Sequence, residues 1–257
     1  IFLTMGLALL LGFNLQEAAS IGIIGAADGP TSIYVSSRFA PGLLGPISVA
    51  AYTYMALVPL IQPPVIRLLT TRSERKIRMD YPSRGVSRRT KILFPIGVTL
   101  FAGIIAPASI SLIGFLMFGN LIRECGVMER LSRAAQNELA NLVTLLLGFT
   151  IATTMTGDRF IQPSTLLIIL MGLLAFMLDT AGGVLSAKFL NLFLKRKINP
   201  MVGAAGISAF PMSARTIQIL GRKEDPSNFL LMHAVGANVA GQIGSVLAGG
   251  LLLAYLG

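Results

Sequence analysis

The side chains in this chain that could do chemistry carry oxygen, and their surroundings are apolar. Asp28 stands in Gly22-Ile-Ile-Gly-Ala-Ala-Asp-Gly-Pro-Thr-Ser-Ile-Tyr34, a carboxylate inside a run of membrane length. A charge at that depth costs about 3 kcal/mol or more, so a chain that keeps one is expected to use it. Thr31 and Ser32 add hydroxyls beside it, and Tyr54 adds a phenol. A second group, Asn199, Ser208, Ser213 and Asn238, surrounds a glycine-rich break at Gly203–Gly206 and Pro211. Hard cations such as Na⁺ take carboxylate, amide and hydroxyl oxygens, completed by backbone carbonyls. Gly29-Pro30 supplies those carbonyls, because proline removes a helical hydrogen bond and leaves its acceptor free. A proton and Na⁺ would compete for the same carboxylate. The alternative is a structural acid paired with Arg38 or Arg215. Each of these follows a break by about ten residues, roughly three turns, and otherwise snorkels to headgroups.

The elements that must position these groups are hydrophobic helices. The chain has 257 residues, 54% hydrophobic and 12% charged, with a mean hydropathy of +0.75. Soluble domains carry about twice that charge fraction. Residues 43–69 and 229–256 are apolar runs that exceed the ~20 residues needed to cross a bilayer. The fold class is an all-α polytopic membrane protein. Residues 1–13 read as the tail of a helix, too short to span, so the chain reads as truncated at its N-terminus. Residues 18–39 form a segment broken at Asp28–Pro30, and 43–69 a span with a kink at Gln62-Pro-Pro64. Residues 92–122, interrupted at Ala106-Pro107, are either one kinked span or two half-passes. Arg123–Gln136 is an amphipathic connector. Spans at 139–154 and 161–178 are joined by Thr156-Gly-Asp-Arg159, and another covers 180–194, with Asp179 read as its N-cap.

The net charge of +10 comes from positives between apolar segments, which argues for membrane topology rather than nucleic acid. Arg72, Arg75, Lys76, Arg78, Arg84, Arg88, Arg89 and Lys91 share one loop, placed in the cytoplasm by the positive-inside rule. That loop also suits an acidic or soluble partner. The single cysteine, Cys125, excludes an internal disulfide, and one histidine, His233, leaves no basis for a His/Cys metal cluster. There is no phosphate-binding glycine loop followed by Lys and Ser/Thr, so energy must come from an ion gradient or a partner's chemistry.

The last third echoes the first. Gly25-Ala-Ala27 recurs as Gly203-Ala-Ala205, with Ser37-Arg38 about as far behind the first as Ala214-Arg215 is behind the second. Tyr52 and Tyr54 in one following span correspond to Asn238 and Gln242 in the other. The expected architecture is an inverted-repeat transporter fold whose two broken helices meet near the bilayer midplane. Residues 1–70 form the C-terminal part of the first repeat, 71–91 the cytoplasmic loop, and 92–257 the second repeat, broken around 199–211. Inversion puts Lys195-Arg-Lys197 on the side away from the basic loop, and Arg222-Lys223 on the cytoplasmic side.

Four stretches, 22–36, 179–193, 199–218 and 236–247, together resemble the β subunit of the sodium-pumping, biotin-dependent decarboxylases. That family acts on oxaloacetate, methylmalonyl-CoA, glutaconyl-CoA or malonate. The resemblance covers nearly the whole chain and matches the C-terminal three-fifths or so of a member. It implies a membrane subunit that decarboxylates carboxybiotin and exports Na⁺ while a proton from outside is consumed. It also implies a soluble α subunit or biotin carrier, a small γ-type subunit, a β homo-oligomer, and a bacterial or archaeal cytoplasmic membrane. By the same resemblance Asp28, Tyr54 and Arg215 carry catalysis, Arg215 and Asn238 meet carboxybiotin, and Asp28, Asn199, Gly203, Ser208 and Asn238 hold Na⁺. Tyr54 is then a proton relay or ligand. A cation/proton antiporter or Na⁺-coupled organic-anion symporter would present the same buried acid and repeats without catalysis.

Overall fold

The computed structural model describes residues 1–26, 28–80, 85–155, 157 and 162–257. Ala27, Arg84 of the basic loop, and Asp158 and Arg159 of the expected connector lie outside the described residues. Among those described, every regular element is helical.

Local chemistry accounts for the element boundaries. Helix α1 (Phe2–Leu10) is followed by Gly12, whose φ of 92° suits a residue without a Cβ. Helix α2 (Leu15–Gly22) opens with a reciprocal cap. Glu17 N donates to Asn14 Oδ1 at 2.8 Å, and Asn14 N donates to Glu17 Oε2 at 3.0 Å. The chain tightens into a 3₁₀ turn, Ile23–Ala26, and helix α3 (Gly29–Phe39) starts beyond Asp28 with Pro30 in its first turn. Helix α4 (Leu44–Leu69) runs through Pro59, Pro63 and Pro64, and buries Tyr54, Val58, Gln62 and Ile66 at four-residue intervals. Helix α5 (Arg72–Arg75) begins with a second capping box, from Thr71 and Glu74.

Residues 92–122 resolve into a hairpin. Helix α6 (Arg88–Ile105) and helix α7 (Ile110–Cys125) are antiparallel, because the start of one meets the end of the other. Lys91 Nζ lies 3.3 Å from Glu124 Oε2, and Arg88 Nη2 donates to Cys125 O at 2.6 Å. Gly126, with φ of 71°, ends α7 in the left-handed conformation. Helix α8 (Glu129–Ala134) passes through a π-helical turn, Ala135–Leu139, into helix α9 (Ala140–Thr154).

Helix α10 (Pro163–Phe193) corrects the expectation of a break at Asp179. An N-cap has non-helical backbone, whereas Asp179 sits inside 31 continuous helical residues and caps nothing. A 3₁₀ segment, Pro200–Gly206, then leads through Ile207–Pro211 to helix α11 (Met212–Glu224), and helix α12 (Leu231–Leu256) follows. Residues 41–69, 107–125, 163–193 and 231–256 are long and apolar enough to cross a membrane.

The chain divides into two compact units. One comprises Ser83–Phe160 with Val246–Gly257. The other comprises Ile1–Pro82 with Ile161–Ser245, contains every candidate site residue, and draws on both expected repeats. In this site-bearing unit α4 and α10 run in the same direction. Tyr54 Oη donates to Ile169 O at 2.5 Å and, further along both helices, Lys188 Nζ donates to Leu69 O at 3.1 Å. Both 3₁₀ turns lean on α10. A Cβ at Gly25 would meet Ala175 Cβ at 2.9 Å, and Gly203 abuts Gly183 backbone to backbone. Ala175 and Gly183 are eight residues apart, about 12 Å of helix. Separate apolar cores flank these levels, one including Ile24, Ile47, Val58 and Phe176, the other Ile66, Val184, Met201 and Ile217.

One topological expectation is overturned. Lys195-Arg-Lys197 stands at the same end of this unit as the start of the basic loop, because Lys188, Lys197, Ser73 and Glu74 line one cavity. Both ends of the stretch from Asn199 to Glu224 also reach that loop. Asn199 Nδ2 donates to Arg75 O and Ile77 O, each at 2.9 Å, and Arg75 Nε donates to Glu224 Oε1 at 2.8 Å. The reason is length. A seven-residue 3₁₀ segment covers only about 14 Å, too little to cross a ~30 Å hydrocarbon core.

Candidate functional site

The site grows from two non-helical turns. Asp28 occupies the N-cap position of α3 with φ −109° and ψ 99°, yet its carboxylate accepts no backbone N–H cap bond. It accepts a hydrogen bond from Thr31 Oγ1 instead. Ser32 Oγ folds back to donate to Asp28 O at 2.9 Å, and Ser36 Oγ to Ser32 O at 2.6 Å, so these hydroxyls serve their own helix. Asp28 is 7% exposed, and among the described residues no cation pairs with it. Arg38 and Arg215, the expected structural partners, are exposed and make no ion pair among the described residues. The ring of Tyr52 packs directly over Gly29, where a Cβ would lie 2.6 Å from Cζ, so glycine is required beside the acid.

The second turn meets the first through Ser208. Its backbone N donates to Ala26 O at 3.0 Å and its Oγ to the same carbonyl at 2.5 Å, two residues from Asp28. Ser208 Oγ also lies 3.1 Å from Ser245 Oγ on α12. Asn238, about two turns from the start of that helix, donates its amide to Ala205 O at 3.2 Å and to Ile207 O. Its Oδ1 is buried and accepts no hydrogen bond among the described residues. A buried carbonyl-type oxygen without a donor is a group that a cation satisfies.

The remaining expected residues are placed elsewhere. Tyr54 spends its hydroxyl on Ile169 O, with its ring beside Gly172 and near Ile24. Gly203 lies at the level of Gly183 and lets two backbones touch. Asn199 is buried at the far mouth of the second turn, where it caps Met201 N at 3.1 Å and ties the turn to Arg75 and Ile77. Arg215 projects from the exposed face of α11 between the turn and the basic loop. The structure therefore gathers Asp28, Ser208 and Asn238 around adjoining backbone, and leaves Asn199 apart from them.

Two contributors escaped the sequence reading. Gln62 is fully buried, donating to Ala204 O at 2.9 Å and accepting from Ser213 Oγ at 2.9 Å, so it clamps the second turn to α4. The available signal was an amide one turn from Ile66 on the buried stripe of α4. Ser245 bonds Ser208, and nothing in its neighbours of Gly and Val marked it.

Residues 1–256 match the family model described as Na⁺-transporting oxaloacetate decarboxylase beta subunit. The chain belongs to this family. It is 54% identical over 258 residues to methylmalonyl-CoA decarboxylase subunit beta of Propionigenium modestum, covering 100% of this chain and 65% of that protein. It is 55% identical over 254 residues to oxaloacetate decarboxylase beta chain 2 of Salmonella typhi, covering 99% and 58%. Against glutaconyl-CoA decarboxylase subunit beta of Acidaminococcus fermentans it is 52% identical over 257 residues, covering 100% and 68%. The chain spans about three-fifths of the length of the curated relatives it matches. As a decarboxylase beta family member with several membrane-length helices, it is a multi-pass membrane protein.

Proposed function

We propose that this chain carries the ion-coupling core of a Na⁺-translocating, biotin-dependent decarboxylase, with Asp28 as the carboxylate shared by Na⁺ and a proton. The observation that carries this reading is the buried Asp28 without a cationic partner, two residues from the carbonyl where the second turn docks through Ser208. Its two breaks then belong to inverted repeats, one entering from each side, whose tips meet at that hydrogen bond. Na⁺ is the cargo. Asp28, Ser208 and the free Oδ1 of Asn238 supply oxygens at the tips, and Asn199 and the carbonyls around Gly203 supply them towards the cytoplasmic mouth.

Carboxybiotin, carried by a soluble partner, approaches from the basic-loop side, where Arg215 is exposed and cationic. Its N–CO₂⁻ bond breaks, CO₂ leaves, and the biotin nitrogen takes a proton. Asp28 gives up that proton as Na⁺ arrives or regains it as Na⁺ leaves, with Tyr54 and Tyr52 lining the route. An ion shifts a conformational equilibrium only by its differential affinity for the two arrangements, so loading and release favour opposite-facing states. The acyl substrate belongs to the partner that loads biotin. A small γ-type subunit and a β oligomer complete the assembly in the bacterial cytoplasmic membrane.

The test is the reconstituted complex, assayed for ²²Na⁺ uptake and for decarboxylation of free carboxybiotin with and without Na⁺. Asp28→Asn preserves the acceptor for Thr31 and is expected to abolish both Na⁺ uptake and Na⁺ stimulation, and avidin to abolish uptake by the wild type. Turnover equal with and without Na⁺ sinks the coupled pump. Uptake insensitive to avidin makes the protein a secondary transporter instead.

A further inference from the structure

One cavity of the site-bearing unit has no part in the coupling scheme. It encloses about 510 Å³ at the loop end of α10, lined by Ser73, Glu74, Lys188, Phe189, Leu192 and Lys197, among others. Its walls divide by chemistry. Phe189 and Leu192 are 60% and 77% exposed, and Phe193, 73% exposed, packs edge-on against Phe189 with ring centroids 5.3 Å apart. These residues end a 31-residue helix long and apolar enough to span a membrane, so their open faces meet acyl chains. The opposite wall is polar. Lys188 Nζ donates to Leu69 O at 3.1 Å and to Glu74 Oε2 at 3.3 Å, and lies 3.0 Å from Glu74 Oε1. Glu74 is already met by Thr71 N at 2.7 Å and by Lys188, so it is neutralised within the wall. Lys197 and Ser73 are exposed, with Ser73 Oγ 3.0 Å from Thr71 Oγ1, and Lys195 and Arg196, which directly precede Lys197, are exposed as well.

We propose that this cavity binds the headgroup of an anionic phospholipid of the cytoplasmic leaflet, with Lys197, Lys188 and Ser73 around the phosphate and an acyl chain along Phe189, Leu192 and Phe193. The volume falls within the range of specific small-ligand sites. Basic pockets at the cytoplasmic ends of membrane helices suit such headgroups because desolvated charge and apolar tail are satisfied together. The mixed wall selects this occupant. A free phosphate leaves the aromatic side uncovered, and a zwitterionic choline lipid brings a bulky cation against Lys188 and Lys197.

Native mass spectrometry of the full-length protein, delipidated in detergent and titrated with phosphatidylglycerol or phosphatidylcholine, tests the proposal. One phosphatidylglycerol per chain is expected to bind in preference to phosphatidylcholine. Lys197→Gln should weaken it about fivefold, as for loss of one charge at a membrane surface. Lys223→Gln, which removes an exposed charge from the C-terminal turn of α11 and does not touch the cavity, should leave binding unchanged. Millimolar glycerol phosphate should not displace the lipid. Full displacement by glycerol phosphate would reassign the cavity to a free anion. Equal losses in the two variants, or no preference over phosphatidylcholine, would overturn the proposal.

Discussion

Gly182 and Gly183 are neighbours in α10, and the structure predicts opposite fates for alanine at the two positions. A Cβ at Gly182 would find nothing within 4 Å. A Cβ at Gly183 would collide with Gly203 O and stand 2.8 Å from Gly203 C. Carbon atoms prefer separations of about 3.5–4.0 Å, so the backbone of the second turn must retreat by ~0.7 Å or more. No flexible side chain is available to absorb that shift, because the obstacle is main chain. Both substitutions gain the same helix-propensity benefit, about 0.8–1.0 kcal/mol. Their difference therefore isolates the overpacking cost, about 1–3 kcal/mol. For a protein of this size each kcal/mol moves Tm by roughly 2–4 °C, which puts Gly183→Ala about 2–12 °C below Gly182→Ala in detergent-solubilised thermal unfolding. Function should separate them further. The displaced turn carries Ala204 O to Gln62, Ala205 O to Asn238, and Ser208 to Ala26. Na⁺ uptake by the reconstituted complex should be retained in Gly182→Ala and largely lost in Gly183→Ala. If both variants unfold within about 1 °C of each other and transport equally, the close approach of α10 to the second turn is refuted.

Two other substitutions probe the meeting of the turns and its anchor. Ser208→Ala removes one donor to Ala26 O while the Ser208 backbone N–H still satisfies that carbonyl. Stability should fall by only about 1 kcal/mol, whereas the apparent Km for Na⁺ should rise; an unchanged Na⁺ dependence would remove Ser208 from the cation site. At the loop end, the Arg75 guanidinium bonded to Glu224 holds that carboxyl below the usual glutamate range, and the charges of Arg75 and Arg72 act in the same sense. A depressed native pKa stabilises the fold above about pH 4.3 and is lost as pH falls through the native value. The wild type should therefore lose Tm more steeply than Glu224→Gln between about pH 5 and 3, and parallel profiles would show that the ion pair contributes nothing.

Membrane helices and the buried acid were legible in the sequence because each leaves a local mark. Apolar length marks a span, and a carboxylate among isoleucines and alanines marks a cost. Asp179 misled because Asp-Thr before an apolar run is also the local signature of a cap; only packing continues the helix through it. Lys195-Arg-Lys197 misled because inversion of the repeats was read as putting it opposite the basic loop, whereas a seven-residue 3₁₀ segment is too short to cross. Gln62 stayed hidden between prolines. Its partners, Ala204 and Ser213, are more than 140 positions away, and long-range hydrogen bonding has no local pattern.

The geometry also constrains how the predicted cation ligands can act together. Asn199 caps the outer end of the 3₁₀ segment, and Ser208 lies just past its inner end. The seven 3₁₀ residues between them, at about 2.0 Å rise each, alone cover about 14 Å. Hard-cation ligands lie about 2.3–2.6 Å from the ion, so one ion cannot touch both residues in this arrangement. Asn199 is, moreover, committed twice as donor and once as acceptor, to Arg75, Ile77 and Met201. A cation that recruited its Oδ1 would release Met201 N and loosen the cap. Ion contact at the mouth and integrity of the second turn are then competing uses of one side chain. On the proposed cation sites, an ion arriving at Asn199 would therefore favour an altered turn, and an ion at Asp28, Ser208 and Asn238 the docked one. That opposition is the differential affinity an alternating pump requires.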